Sequence, residues 1–370
     1  MEFGPNQLIC TKIATIKEIP MLAPVTHILP VTHIQRTRRL PADGRVLVST
    51  NQKVNTTDVI AESHQEGKHV LINVRRALGL PSTKDTESLI ERKVGEKVQK
   101  GDVIATAGRF LPKVVRSPED GEIVSINNGQ VLLEVDSKVF QLKAGFSGNV
   151  IEVLPDRGAI IETHGALIQG IWGNKQIDQG LLLALAQTAD EALNRDRLDV
   201  SMRGAVILCG YCADADVLKM ANELPLRGLI LGGMEAELIP LANTLFFPII
   251  VLDGFGPCPV NSAAFKLLST NEKRDICLNA AAWNLTSGER PEIVIPLPVE
   301  GNLPKETDEF KPDQEVRIQG APYTGQIATL VRVRPWLTAL PNGLRVPAAD
   351  VRLESNEVVS IPLANLDVLE

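Results

Sequence analysis

Aromatic side chains are scarce: nine Phe, three Trp and two Tyr in 370 residues. With so few rings, the cores must be built from Val, Ile, Leu and Ala. Cysteines number five, odd and widely scattered. That excludes a disulfide framework and reads as reduced thiols in a cytoplasm. No apolar run approaches the ~20 residues that a membrane helix needs; the longest is Leu245 to Leu252. The start, MEFGPNQLICTKI, lacks a basic segment followed by an apolar one, so no secretory signal is expected. Excess positive charge is missing as well. The formal net charge is −7, which disfavours a dominant electrostatic affinity for nucleic acid or an anionic membrane. What remains is an ordinary globular mixture, 44% hydrophobic and 22% charged. It excludes disorder throughout and fits about two to four domains.

Residues 1–200 read as β-rich. Short Val/Ile runs such as Arg45-Val-Leu-Val, Glu122-Ile-Val-Ser-Ile and Gln130-Val-Leu-Leu-Glu-Val alternate with Gly, Pro, Asn and Asp, the pattern of strands and turns. An internal repeat is present. Asn51–Ala61 and Gly95–Ala105 share Lys, Val, Asp, Val, Ile and Ala, six of eleven positions. Pro41-Ala-Asp-Gly-Arg-Val46 matches Pro118-Glu-Asp-Gly-Glu-Ile123, with a looser copy at Ser147-Gly-Asn-Val150. Asp-Gly supplies a tight turn into a strand. Together, GEKVQKGDVIA and SPEDGEIVSI resemble the barrel-sandwich hybrid of biotinyl and lipoyl carrier domains. The resemblance implies the fold; carrier function would further need a modifiable Lys flanked by Met or Ala, and no such tip occurs between Pro41 and Val150. Lys113 alone sits in a turn-like position, where a solvated surface lysine is expected. His27, His33, His64 and His69 lack a cysteine or carboxylate set nearby, so no metal site is expected from them. The glycine-punctuated stretch Gly165–Gly180 should close the β unit around Trp172, and Leu181–Arg197 reads equally as strand or helix.

Residues 201–286 change rhythm. Apolar strands at Ala205, Gly228, Phe247 and Asp275 alternate with helices N-capped by Asp214 and Asn261. This predicts a small parallel α/β sheet, Rossmann-like or swivelling-like. Ligands of such sheets sit beyond the strands' carboxyl ends, which makes Gly232, Gly233, Asp253, Gly254 and Gly256 a candidate crevice. None of these is a dinucleotide fingerprint or phosphate loop. The segments RGLILGG and FPIIVLDGFG are similar to the swivelling phosphohistidine domain, yet no histidine follows Ala166. Cys209 and Cys212 form a Cys-x-x-Cys between strand and helix, the placement of a thioredoxin-like redox pair. Small buried side chains are the alternative. Cys258 and Cys277 lack the second Cys-x-x-Cys of a zinc site.

Residues 287–313 carry five prolines and seven acids against three bases, the composition of an extended linker. Residues 314–370 are strand-rich. Val316–Leu330, with Gly325 central and Ile318 and Ile327 alternating, resembles the KOW motif of NusG-like and ribosomal proteins. Ile361-Pro-Leu-Ala-Asn-Leu fits the last strand of that SH3-like β-barrel. The resemblance implies RNA or protein binding. This segment holds five Arg, no Lys and six acids, so a nucleic-acid stripe is disfavoured. The candidate partner patch is Arg332, Arg334 and Trp336, with Arg317 and Arg345 as further phosphate contacts.

The resulting expectation is a multidomain α+β protein: a β-rich barrel-sandwich N-terminal half, a parallel α/β middle domain and a C-terminal KOW-like barrel. No nucleophile–base pair, carboxylate pair, metal set or cofactor motif is present, so no catalytic residue is named. The expected role is that of a cytoplasmic scaffold, binding a protein partner or itself. A nucleic-acid- or ribosome-associated factor and a ligand-binding α/β enzyme are the alternatives.

Overall fold

A computed structural model describes residues 22–65, 67–81, 86–108, 112–135, 138–284, 287–305, 307–340 and 343–369; the N-terminal segment weighed above as a signal lies outside them. The chain is β-rich, 48% strand against 13% helix, in several sheets. Strand β1 (Leu22–Thr26) leads into the long β2 (Ile28–Arg39). The short β3 (Arg45–Val46) and β4 (Lys53–Val54) precede β5 (Val59–Gln65) and β6 (Lys68–Asn73). A five-residue helix, α1 (Val74–Leu78), stops at Gly79 in the left-handed conformation. Then follow β7 (Lys97–Val98), β8 (Val103–Ala107), β9 (Lys113–Arg116), β10 (Gly121–Asn127) and β11 (Gln130–Val135). The chain returns through β12 (Lys138–Lys143), β13 (Gly148–Leu154) and β14 (Gly158–Gln169).

The sequence repeat is a repeated structure, one copy nested inside the other. In the outer copy β4 pairs with β13, Val54 opposite Gly148. In the inner copy β7 pairs with β10, Val98 opposite Gly121. The shared Asp does the same work in both. Asp58 Oδ2 accepts from Asn55 N at 2.7 Å, and Asp102 Oδ2 accepts from Gln99 N at 3.0 Å. Each closes the turn between the Lys-Val and Val-Ile-Ala strands. Val54, Ile60 and Ala61 face one core, and Val98, Ile104 and Ala105 face another. The glycines are fixed by contact. A Cβ on Gly121 would stand 2.3 Å from the Glu134 carbonyl, and one on Gly148 2.2 Å from that of Glu162. By strand pairing Ser147-Gly stands in the outer copy where Asp120-Gly stands in the inner one, and Gly44 of the Asp43-Gly match is held by the same kind of contact, its Cβ position 2.2 Å from the Glu62 carbonyl.

The middle segment supplies β15 (Trp172–Gly173), β16 (Ile177–Ala184), β17 (Ala205–Cys212), α2 (Ala215–Glu223), β18 (Gly228–Met234), α3 (Ile239–Ala242), β19 (Ile249–Phe255), α4 (Ser262–Thr270), β20 (Asp275–Asn279) and β21 (Glu292–Pro296). Strands β16 to β19 are mutually parallel, and their unbroken apolar runs suit burial on both faces. Asp214 caps α2 by accepting from Asp216 N, and Asn261 caps α4 by accepting from Ala264 N. One apolar layer packs with α2 and α3, the other with α4. Each buried Leu or Ile there contributes about 1.5–3 kcal/mol.

Two features differ from expectation. The strand at Asp275 is antiparallel to its neighbour β16. The turn after α4 explains it: Lys273 N donates to the Leu182 carbonyl and Leu182 N to that of Arg274, so the chain enters beside the end of β16 and runs back along it. Nor is this sheet an isolated unit. It spans eleven strands in the order β15-β19-β18-β17-β16-β20-β21-β14-β13-β4, with β2 also on β14. Residues 287–313, read as linker, place β21 inside it. There Glu292 is buried, with Arg36 Nε at 2.8 Å.

The last segment forms β22 (Thr307–Glu309), β23 (Glu315–Ile318), β24 (Ile327–Val333), β25 (Thr338–Ala339), β26 (Arg345–Val346), β27 (Ala348–Leu353), β28 (Val358–Pro362) and β29 (Leu366–Leu369). A seven-stranded sheet, β22-β1-β29-β23-β24-β27-β28, encloses its own apolar core. Strand β1, from the far end of the chain, is parallel to β29.

Candidate functional site

The carboxyl ends of the parallel strands do not form an open crevice. The chain's own loop after β19 fills them. A Cβ on Gly232 would stand 2.3 Å from Val260 N, and one on Gly233 2.3 Å from the Gly256 carbonyl. One on Gly254 would stand 2.8 Å from Cys258 Sγ. Small residues are needed here for close packing of backbone on backbone. Gly256 has φ +95° and turns the loop. Asp253 is buried and accepts from Asn261 N (2.8 Å) and Asn261 Nδ2 (2.9 Å), tying β19 to the start of α4.

The C-terminal sheet closes over the same ends. Arg317, on β23 and only 1% exposed, donates through Nη1 to the Leu252 carbonyl at 2.6 Å. It lies 3.6 Å from both Asp253 Oδ1 and Asp367 Oδ2. Arg290 lies 3.5 Å from Asp367 Oδ2 and donates to Thr26 Oγ1 at 2.5 Å. Gln319 Nε2 donates to Asp367 Oδ2 at 2.8 Å. Burial pushes the Asp253 carboxyl up against the pull of Arg317, and burial pushes Arg290 down. Two cations and two carboxylates thus meet where the central sheet, β1 and the C-terminal sheet join. Gly325, φ +82°, sits at the same seam, where an added Cβ would be 3.3 Å from Cys258 Sγ. Arg317 is therefore a seam residue, withdrawn from any phosphate-binding surface.

Cys209 and Cys212 both lie within β17, in the core shared with α2. Their thiols are free, as are those of Cys258 and Cys277. Burial pushes Cys209 up to about 11 and Cys212 up to about 12. A redox pair needs a thiolate near neutrality, and this environment opposes one. Among the described residues no group of three or more His, Cys, Asp or Glu is arranged to hold a metal ion.

Arg332, Arg334 and Trp336 do lie together at the end of β24. Asp350, across on β27, accepts from Arg332 Nε at 2.7 Å, Arg334 Nε at 2.8 Å and Ser360 Oγ at 2.7 Å. Burial of Asp350 would raise its pKa, but these donors outweigh burial and hold it down at about 2. The carboxylate is covered while Arg332 remains 69% exposed. Trp336 is 80% exposed with exposed Leu337 next to it in the chain, and Leu344 is exposed at the turn of the β25–β26 hairpin, where its carbonyl accepts from Leu340 N. The segment from Arg332 to Leu337 thus presents a two-arginine fork followed by an exposed ring and an exposed aliphatic side chain.

Lys113 begins β9, exposed, with its amine 3.5 Å from the Leu78 carbonyl. His27 is buried, and burial together with Arg36 and Arg290 lowers it to about 4. His33 stacks on His164 with centroids 4.5 Å apart, and its Nε2 lies 3.0 Å from Glu162 Oε2. His64 and His69 sit on β5 and β6, in different sheets. Sequence reasoning did not single out Arg290, Asp367 or Asn279. The signal for Arg317 was present: it alternates with core residues Val316 and Ile318, so it had to leave its own core.

No protein-family model matches this chain, and no curated protein matches it. Among the described residues no helix is long and apolar enough to cross a membrane.

Proposed function

We propose that the chain is a non-catalytic, multi-module binding protein that assembles with a protein partner or with itself. In this reading the nested repeats are barrel-sandwich hybrids without a carrier lysine, and the C-terminal sheet is a KOW-type SH3-like barrel. The observation that carries it is the presented surface on that sheet. An 80%-exposed Trp336 followed by exposed Leu337, with Arg332 and Arg334 anchored on Asp350, has the Trp and Arg composition of protein-interface hot spots. The filled strand ends and the buried thiols favour binding over catalysis. Four free thiols among the described residues are in keeping with a reducing, cytoplasmic compartment.

The test compares native pull-downs and light scattering for the wild type and for Trp336→Ala with Arg332→Glu. A defined protein partner, or a self-association, that the variant loses supports the reading. Retention of every partner by the variant overturns it. So does a salt-resistant RNA complex that depends on the same residues, which would instead make Trp336 a base-stacking platform.

A further inference from the structure

A second surface has the makings of a ligand site. A groove of about 690 Å³ runs between strand β12 and the start of β16, and Arg38, Phe140, Lys143, Lys175, Asn279 and Trp283 line it. Lys175 and Trp283 also line an adjoining hollow of about 640 Å³. Both volumes fall in the range of small-molecule sites.

Charge in the groove has the opposite sign to the chain. Three cations stand against one lining carboxylate, Glu289, in a protein of net charge −7. Glu289 is spoken for: it accepts from Arg38 Nη1 at 2.9 Å. Arg38 is further held by donating Nε to the Lys143 carbonyl at 3.3 Å. Among the described residues neither Lys143 nor Lys175 has an ion pair. Lys175 is set in place by its backbone, with φ +67° and its N–H on the Ala280 carbonyl at 2.6 Å.

One wall of the groove is a buried amide. Asn279 is only 7% exposed, and its Oδ1 accepts no hydrogen bond. The wall around it is close: a Cβ on Gly145 would be 3.3 Å from Asn279 Nδ2 and 3.5 Å from Arg38 Cζ. The ring of Trp283, with Arg290 over it at 4.4 Å, and exposed Phe140 offer flat apolar surface. Cations for an anion and rings for a planar group together describe one chemistry. We propose that this groove binds a nucleotide unit. Lys143 and Lys175 take the phosphate, and Trp283 and Phe140 flank the base. The unit is either a free mononucleotide or one residue of a single strand.

The test is titration calorimetry of the full chain with each of the four ribonucleoside monophosphates, inorganic phosphate, the nucleosides and a mixed tetranucleotide. The expected result is saturable binding of at least one mononucleotide, tighter than phosphate or nucleoside. It weakens at least tenfold in Lys143→Glu/Lys175→Glu, two side chains outside the cores whose change leaves the thermal midpoint in place. Trp283→Leu should weaken base-bearing ligands and leave phosphate alone unaffected. A tetranucleotide that binds tighter than any monomer identifies the strand as the source; equal affinity identifies the free nucleotide. Absence of saturable binding by every probe, equal affinity in the double variant, or phosphate binding as tightly as nucleotide would each overturn the proposal.

Discussion

The C-terminal sheet carries two clusters made of the same parts, arginines gathered on aspartates, and they differ only in what covers them. On the inner side Arg317 and Arg290 meet Asp253 and Asp367, and every one of these side chains is buried. On the outer side Arg332 and Arg334 share Asp350; the carboxylate is covered, while Arg332 is 69% and Arg334 35% exposed. Burial sets what each cluster can do. An enclosed guanidinium has lost its water and is committed to its carboxylates, so the inner cluster fixes how two sheets sit together. An exposed one keeps most of its hydration and remains free for a partner.

The sharpest way to break the comparison is to remove one inner cation. Arg317→Met should cost about 3–5 kcal/mol, because it leaves Asp253 and Asp367 buried against too little positive charge. Urea unfolding measures it. A companion variant, Arg317→Met with Asp253→Asn, should regain much of that loss, because Asp367 keeps Arg290 as its partner. A loss below 1 kcal/mol in the single variant would mean that the seam is open to water.

Acid should act on this seam through His27, which is buried one residue after Thr26 of the cluster. Its folded pKa of about 4 lies below the ordinary 6.5, so the unfolded chain binds the extra proton first. The stabilisation from keeping the ring neutral is fully present above pH 6.5 and is lost as pH falls towards 4. The separation corresponds to about 3 kcal/mol. Urea midpoints measured between pH 7 and 4 should fall steeply, and His27→Gln should flatten that slope. An unchanged slope in the variant would place the acid sensitivity elsewhere.

What could be read from the chain follows from how local the determinants are. The caps at Asp214 and Asn261 need only three or four neighbouring residues, and both form. The repeat was legible because each copy closes its own turn with its own Asp. The pairing of β1 with β29 was not, since those residues lie at opposite ends of the chain and no local pattern joins them. The same holds for β21: its prolines and acids have a linker's composition, while Glu292 is neutralised by Arg36 on a strand 256 positions away. Of the candidate residues, the glycines at the strand ends were read as room for a ligand, whereas the room is taken by residues 256–260. The proximity of Arg332 and Arg334 was legible because alternate residues of one strand share a face, and both reach Asp350.

The outer cluster should respond less. Asp350→Asn removes a carboxylate that three donors hold at about 2. Since both arginines are at least partly in water, the loss should be about 1–2 kcal/mol. Its pH dependence has the ordinary carboxylate sign: the contribution is complete above about pH 4 and disappears as pH falls through 2. An NMR titration in which the Asp350 carboxyl moves near pH 4 would show that the fork does not grip it.

The smallest effect on stability should come from Trp336→Ala, within about 0.5 kcal/mol, because a side chain 80% exposed gives up little buried area on removal. Its fluorescence should nevertheless report it. Trp172 and Trp283 are both half-buried, so Trp336 should supply the reddest emission and the component most readily quenched by acrylamide. The variant should lose that component with no change in its urea midpoint. The measurement joins the two sides of the comparison, since it separates a ring held out for contact from one that supports the fold. A blue-shifted, poorly quenched Trp336 in the full chain would mean that the hairpin folds back on the protein, and the outer face would then share the structural role of the inner one.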